Sequence, residues 1–230
     1  MKKQINCAVK LLALAAAMGV ASGASAQSAG QWVVAVGMNK IEPDVKSEPV
    51  SAPALPNSKA DIGADTQPIM TIARMLTDNI SAEVDLGVPY KHKLYGAGAL
   101  EGTGKMGTSE VLPPTAFIRY HLFQPNSKIR PYVGLGITYA IFRNETGSGQ
   151  LTAVLDPGGK PVTYSMKNKW AAGIKIGTTI SFKENWFVDV HMAKIKLKTT
   201  ATYSTGQTQV AALDPTAVAI SVGHNFHWKW

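Results

Sequence analysis

From about residue 31 onward, apolar residues recur at every second position, and no segment of comparable length repeats every 3.6 residues. In 81–90, Ala82, Val84, Leu86 and Val88 share one face, while Ser81, Glu83, Asp85 and Gly87 share the other. In 115–123, Ala116, Ile118, Tyr120 and Leu122 oppose Thr115, Arg119 and His121. In 130–142, Val133, Leu135, Ile137, Tyr139 and Ile141 oppose Gly134, Gly136 and Thr138. In 170–182, Ala172, Ile174, Ile176, Ile180 and Phe182 oppose Gly173, Lys175, Gly177 and Thr179. In 215–230, Val218, Ile220, Val222, Phe226, Trp228 and Trp230 oppose Ser221, Gly223, Asn225 and Lys229. Weaker alternation at 31–39, 67–76 and 186–198 brings the set to eight strands. A period of two puts successive side chains on opposite faces of a sheet, so each strand has one oily face and one polar or glycine face.

The connections alternate too. Short turns fall at 77–79, 124–129 and 183–185, and long loops at 40–65, 91–111, 143–168 and 199–214. An even number of antiparallel strands with this rhythm predicts an all-β fold: an eight-stranded transmembrane barrel with short periplasmic turns and long extracellular loops. In lipid every backbone N–H and C=O must be paired within the protein, which obliges a sheet to close on itself. Strands of about 10 residues at ~3.3 Å each, tilted near 45°, cover the hydrocarbon layer. A soluble barrel would turn the same apolar face inward. Against that stands the placing of aromatics near strand ends, where interfacial girdles belong: Trp32, Tyr90, Tyr120, Tyr139, Phe182, Trp186, Trp228 and Trp230.

The N-terminus reads as an export address. Lys2, Lys3 and Lys10 precede or flank an apolar stretch from Leu11 to Val20, and Ala24-Ser25-Ala26 supplies a small-residue cleavage site. Residues 1–26 are thus expected to be a cleaved signal peptide and 27–230 the barrel. The stretch is too short to span a bilayer. Cys7, the chain's one cysteine, lies within this leader, so disulfide scaffolds and cysteine zinc sites are excluded. The leader takes three lysines and no acid with it, which lowers the net charge from +8 to +5.

Several stretches resemble the OmpW family of small outer-membrane proteins (OmpW/AlkL type). They are 77–94 (TDNISAEVDLGVPYKHKL), Leu112-Pro113-Pro114-Thr115, 128–139 (KIRPYVGLGITY), Trp170-Ala171-Ala172-Gly173, 199–203 (TTATY) and Leu213-Asp214-Pro215. They occur in family order and span most of the mature chain. The resemblance implies an eight-stranded barrel in the bacterial outer membrane that passes small hydrophobic compounds. It also implies that the assembly machinery for such barrels reads the last strand; this chain ends in Trp230 where Phe is usual.

With the termini and short turns on the periplasmic side, the inward face sorts by height. Ser81, Glu83, Asp85, Arg119, His121, Lys175, Asp189, His191, Asn225 and His227 fall low and in the middle. Ile69, Phe117, Ala140, Phe142, Ala171, Ala193, Ile195, Leu197 and Ala219 fall high. The candidate site is therefore a hydrophobic lumen (Ile69, Phe117, Phe142, Ile195, Leu197) over a polar plug (Glu83, Asp85, Arg119, Lys175, Asp189). Eight strands enclose room for side chains or one small ligand, not a water-filled pore. Buried charges must be paired, so the plug is expected whatever the barrel does. A solute stopped by it would leave sideways into lipid, near strand breaks at Pro68, Pro89, Pro113 or Pro114. The rival reading is a closed structural or receptor barrel without transport.

In the strand at 186–198, Ile195 and Leu197 face in while Lys194, Lys196 and Lys198 face out. Either a bulge shifts the register or the strand end stands clear of the bilayer. Those three lysines are the candidate contacts to lipopolysaccharide, in a wider cluster with Lys91, Lys93, Lys167 and Lys169 near the extracellular ends. The expected partners are thus outer-membrane lipid, lipopolysaccharide, small hydrophobic solutes and the barrel-assembly machinery. No nucleic-acid motif accompanies the basic charge. No cofactor, metal-ligand spacing or nucleophile motif occurs, so the chain is not expected to be an enzyme.

Overall fold

The computed structural model describes residues 27–227. The expected leader at 1–26 and the terminal Trp228 and Trp230 lie outside the described residues. In chain order the strands are β1 (Trp32–Glu42), β2 (Lys46–Ser47), β3 (Ser58–Ile62), β4 (Asp65–Met75), β5 (Ile80–Gly87), β6 (Tyr90–Gly98), β7 (Lys105–Leu112), β8 (Thr115–His121) and β9 (Ile129–Gly147). A short helix α1 (Gly149–Leu155) follows, then β10 (Tyr164–Met166), β11 (Lys169–Lys183), β12 (Trp186–Lys196), β13 (Lys198–Tyr203), β14 (Thr208–Ala212) and β15 (Thr216–Phe226). Eight of these close a ring in the order β1-β4-β5-β8-β9-β11-β12-β15, with β15 pairing back onto β1. Every ladder in it is antiparallel.

Which face meets the outside is settled by exposure. Val84 is 41%, Ile118 54%, Leu135 71% and Ile176 55% exposed. Ile137, Ile174, Val190, Met192, Ile220 and Val222 continue the same oily belt. A soluble protein does not present so continuous an apolar surface, whereas lipid requires it. Tyr120 and Phe182 border the belt toward the short turns; Tyr139 and Trp170, their rings tilted with centroids 4.7 Å apart, border it toward the other end.

The long connections are not loops alone. They fold into a β-rich crown, which corrects the expectation of four solvated loops. The β6–β7 hairpin carries β3 on one side and pairs with the upper part of β9 on the other. A second small sheet runs β10-β13-β14-β2. The crown has its own core of Val50, Leu100, Met106, Leu151, Val162, Tyr164 and Tyr203. Helix α1 presents Leu151 to it, and the Ser148 hydroxyl caps the helix by accepting from the Leu151 N–H at 3.3 Å. Alternating polar residues hid these strands, because neither face of a crown strand needs to be oily where both meet water or each other.

At the opposite end the turns are tight. Glu184-Asn185 joins β11 to β12, with Asn185 at a φ of 64°. Arg130, buried there, donates to the Gln27 carbonyl at 2.7 Å, to the Asp78 carbonyl and to the Leu122 carbonyl. One side chain thus ties the N-terminal segment to two turns.

The β11–β12 ladder runs unbroken from Ala172↔Lys196 to Ser181↔Phe187, and its irregularity lies lower, between Ser181 and Lys183. No bulge therefore interrupts the lysine-rich end of β12. Its outward face passes from Val190 and Met192 to Lys194 and Lys196, so the strand end stands above the belt.

Candidate functional site: a lumen in two zones

Midway up the barrel the inward positions of β5, β8, β11 and β12 converge. The Lys175 ammonium lies 2.6 Å from Glu83 Oε1 and 2.5 Å from Asp85 Oδ2. The Arg119 guanidinium lies 2.8 Å from Glu83 Oε2 and donates through Nε to Ser81 Oγ at 3.2 Å. Thr71 donates to Asp85 at 2.6 Å. Asp189 accepts from the Tyr132 hydroxyl at 2.9 Å and sits 2.8 Å from His191 Nδ1. Glu83, Asp85, Arg119, Lys175 and Asp189 are all buried. Each charge meets an opposite charge or strong donor, as burial demands. Glu83, Asp85, Arg119 and Lys175 thus form a buried, ion-paired plate in the lumen, with Asp189 beside it.

Above this plate the wall turns apolar. Phe117, Ala140, Phe142, Ala171, Ala193, Ile195, Leu197 and Leu213 form one packed cluster. All of these but Ala171 line a cavity of about 100 Å³, as does Ile69. The Lys175 ammonium sits 4.3 Å from the Phe117 ring centroid, so the plate's upper surface is the cavity's floor. The ring of Phe117 lies over Gly136, its cross-strand partner; a Cβ at 136 would meet that ring and the Ala116 carbonyl. Gly136 is thus a seat for an aromatic ring, as Gly177 is for Tyr132 and Gly223 for Phe187.

One side of this cavity is a break in the barrel wall. The β5–β8 ladder stops at Asp85↔Thr115, and the β6–β7 ladder starts at Tyr90↔Val111. Residues 86–89 and 113–114 lie between, with Pro89, Pro113 and Pro114 among them. The two proline carbonyls are served locally: Thr115 donates to the Pro113 carbonyl at 2.9 Å, and the Tyr139 N–H to the Pro114 carbonyl at 3.1 Å. Leu86, Gly87, Pro113 and Thr115 all line the cavity, and Leu86 is also exposed on the outer face. Pro68 stands apart from the gap, within β4 and in register with Met38.

Residues 28–226 match the OmpW family profile. The chain belongs to the OmpW family. The outer membrane protein W of Vibrio cholerae serotype O1 is 28% identical across 97% of this chain and all of that protein. The outer membrane protein AlkL of Ectopseudomonas oleovorans is 25% identical, covering 86% of this chain and 83% of AlkL. The crystal structure of OprG from Pseudomonas aeruginosa shares the fold, with a TM-score of 0.79 over 88% of this chain and 99% of OprG at 24% identity. This OmpW-family barrel is accordingly a protein of the bacterial outer membrane, and its oily belt faces lipid.

Three features of the barrel were not foreseen. Tyr90 is no girdle residue: it points inward, is buried, and its hydroxyl accepts from Asn39 Nδ2 at 2.8 Å. The break at Val88-Pro89 resets the alternation, so odd positions face inward in β5 but even ones in β6. The lower lumen is not uniformly polar: Val33, Ala35, Ala73 and Phe187 form a small apolar cluster inside it. Tyr132, Thr71 and Arg130 also face inward, and only the alternation of their own strands, counted through, could have flagged them.

The outward lysines find partners within the chain. Lys194 lies 3.6 Å from Asp44, Lys196 2.7 Å from Asp214, and Lys198 3.4 Å from Glu48. Ser81 Oγ lies 2.8 Å from His121 Nε2, a spacing seen in hydrolases, but His121 Nδ1 has no acid to orient it. Both residues are wholly buried, out of reach of a substrate.

Proposed function

We propose that this barrel admits small hydrophobic molecules from outside and releases them sideways into the membrane. The observation that carries the reading is the coincidence of three elements: an apolar cavity, an ion-paired floor and an interrupted wall. A molecule leaving water for the cavity gains about 25 cal/mol for each Å² of apolar surface it buries. Crossing the floor would mean solvating that molecule among paired charges, and opening the pairs strands buried ions at several kcal/mol each. Sliding past Leu86 into lipid keeps it in an apolar medium throughout. Side-chain and local hydrogen bonds at Pro113 and Pro114 make the interruption tolerable in lipid.

The test is uptake of an alkane or alkylbenzene by cells that lack other barrels of this family. Phe142→Asp and Leu197→Asp place a charge in the cavity and are expected to cut uptake at least tenfold while the barrel still assembles. Uptake equal to that of the unaltered chain would mean a closed barrel with another role. Lys194, Lys196 and Lys198 belong to the same reading as contacts for lipopolysaccharide phosphates, since exposed ion pairs are weak enough to exchange partners. Replacing all three with Glu should reduce co-purified lipopolysaccharide; an unchanged amount would rule those contacts out.

A further inference from the structure

The crown side of the cavity carries polar groups that bare hydrocarbon cannot use. Asn39 from β1, His92 from β6 and Ser109 from β7 line it at 5%, 4% and 2% exposure. His92 and Ser109 are direct cross-strand partners and so share one face. His92 Nδ1 lies 2.7 Å from the Gly63 carbonyl. A carbonyl only accepts, so Nδ1 bears the proton. β6 rises above the oily belt, and burial lowers the tendency of this imidazole to take a second proton. Nε2 therefore keeps a lone pair. The Ser109 hydroxyl has no partner, and neither has Asn39 Oδ1, since that amide uses only Nδ2, on Tyr90. The Tyr90 and His92 rings stack at 6.3 Å, which holds the group in place.

Buried polar atoms without partners are uncommon, because leaving them unpaired costs stability. Two of them, Ser109 Oγ and Asn39 Oδ1, belong to residues that line this cavity above its charged floor. A group that both donates and accepts would satisfy them, and a hydroxyl is the smallest organic group that does so. Building on the reading of the cavity as a solute site, we propose that it selects apolar molecules bearing one hydroxyl, small alcohols or phenols. The hydroxyl donates to His92 Nε2 or Asn39 Oδ1 and accepts from Ser109 Oγ. The body lies against Phe117, Phe142 and Leu197. The hydroxyl reproduces the hydrogen bonds of the water it displaces, which a methyl group cannot. The cavity, about 100 Å³ against the order of 150 Å³ for engineered cavities that take up benzene, limits the body to a short chain or a single ring.

The test uses the full mature chain in lipid nanodiscs, titrated with p-cresol and with p-xylene, which differ by hydroxyl against methyl. Concentrations are corrected for partition into the lipid. Both solutes should shift the Ile195 and Leu197 methyl resonances saturably, and p-cresol alone should shift the His92 ring nitrogens. p-Cresol should bind about tenfold more tightly, the effect of one good hydrogen bond. Ser109→Ala removes an unpartnered hydroxyl and should fold normally; it should abolish the preference without altering p-xylene binding, and Ser109→Thr should keep it. Equal affinities in the unaltered chain, or a preference that survives both Ser109→Ala and His92→Phe, would overturn this proposal alone. Saturable binding of neither solute would overturn it together with the cavity reading beneath it.

Discussion

Lys175 joins the two zones of the lumen. Its ammonium binds Glu83 and Asp85 in the floor and meets the Phe117 ring of the cavity above. Removing it leaves Asp85 with only Thr71 among its close partners, a buried carboxylate without a counter-charge. Lys175→Met should therefore destabilise the barrel by about 3–5 kcal/mol, read as a lower urea midpoint for unfolding from lipid; an unchanged midpoint would show that the plate is not a closed ion-pair network. A second charge pair lies above the belt. The Lys196 ammonium bonded to Asp214 holds that carboxyl below the usual range, assisted by the Leu197 N–H at 3.1 Å. A depressed carboxyl contributes stability at pH above its unfolded value, and the contribution is lost as pH falls through the folded value. Asp214 should titrate by NMR below the ~3.9 of a free aspartate, and in Lys196→Met the midpoint should rise. A midpoint at or above ~3.9 in the unaltered chain would contradict the pairing. The inward charges were readable from sequence because alternation in β5, β8, β11 and β12 runs unbroken through them. His92 and Tyr90 were not, because the phase changes at Pro89 and no local pattern announces which face a short crown strand buries.

Among the elements, the inward glycines and the proline break carry the most consequence. Sequence alternation placed Gly136 and Gly177 on the inner face, but only the ladder register shows that each lies beside an aromatic ring, Phe117 and Tyr132. Cross-strand registers depend on turn lengths and barrel stagger, which a single strand does not encode. Gly136→Val must displace both Phe117 and backbone, since the Ala116 carbonyl also occupies that space. It should cost about 1–3 kcal/mol of stability and reduce solute uptake by tilting Phe117 into the cavity. Full stability and uptake in that variant would mean that the ring has another seat. The crown strands were hidden for a related reason. β6, β7, β13 and β14 mix Lys, Thr, Ser, Gly and Gln with apolar residues in no sustained alternation, so no period marks them as strands.

At the scale of the whole molecule, the barrel and the crown divide the work. The belt fixes the protein in lipid, and the crown extends the lumen wall upward and bears the polar side of the cavity. The ion-paired floor lies on the periplasmic side of the cavity. If this division is right, the molecule is a one-sided port, open to the outside and to the bilayer but not through. The direct test is the transfer rate of an aromatic hydrocarbon into vesicles with a lipopolysaccharide outer leaflet, measured with the barrel before and after its break is obstructed. The chain's one cysteine, Cys7, lies in the expected leader, so in a chain lacking residues 1–26 Leu86→Cys gives a single attachment point for a bulky maleimide at the break. The account predicts fast delivery into the bilayer by the unlabelled protein and a return to the protein-free rate once the label is attached. Delivery that is indifferent to the label, or solute arriving in the vesicle's interior water, would contradict it.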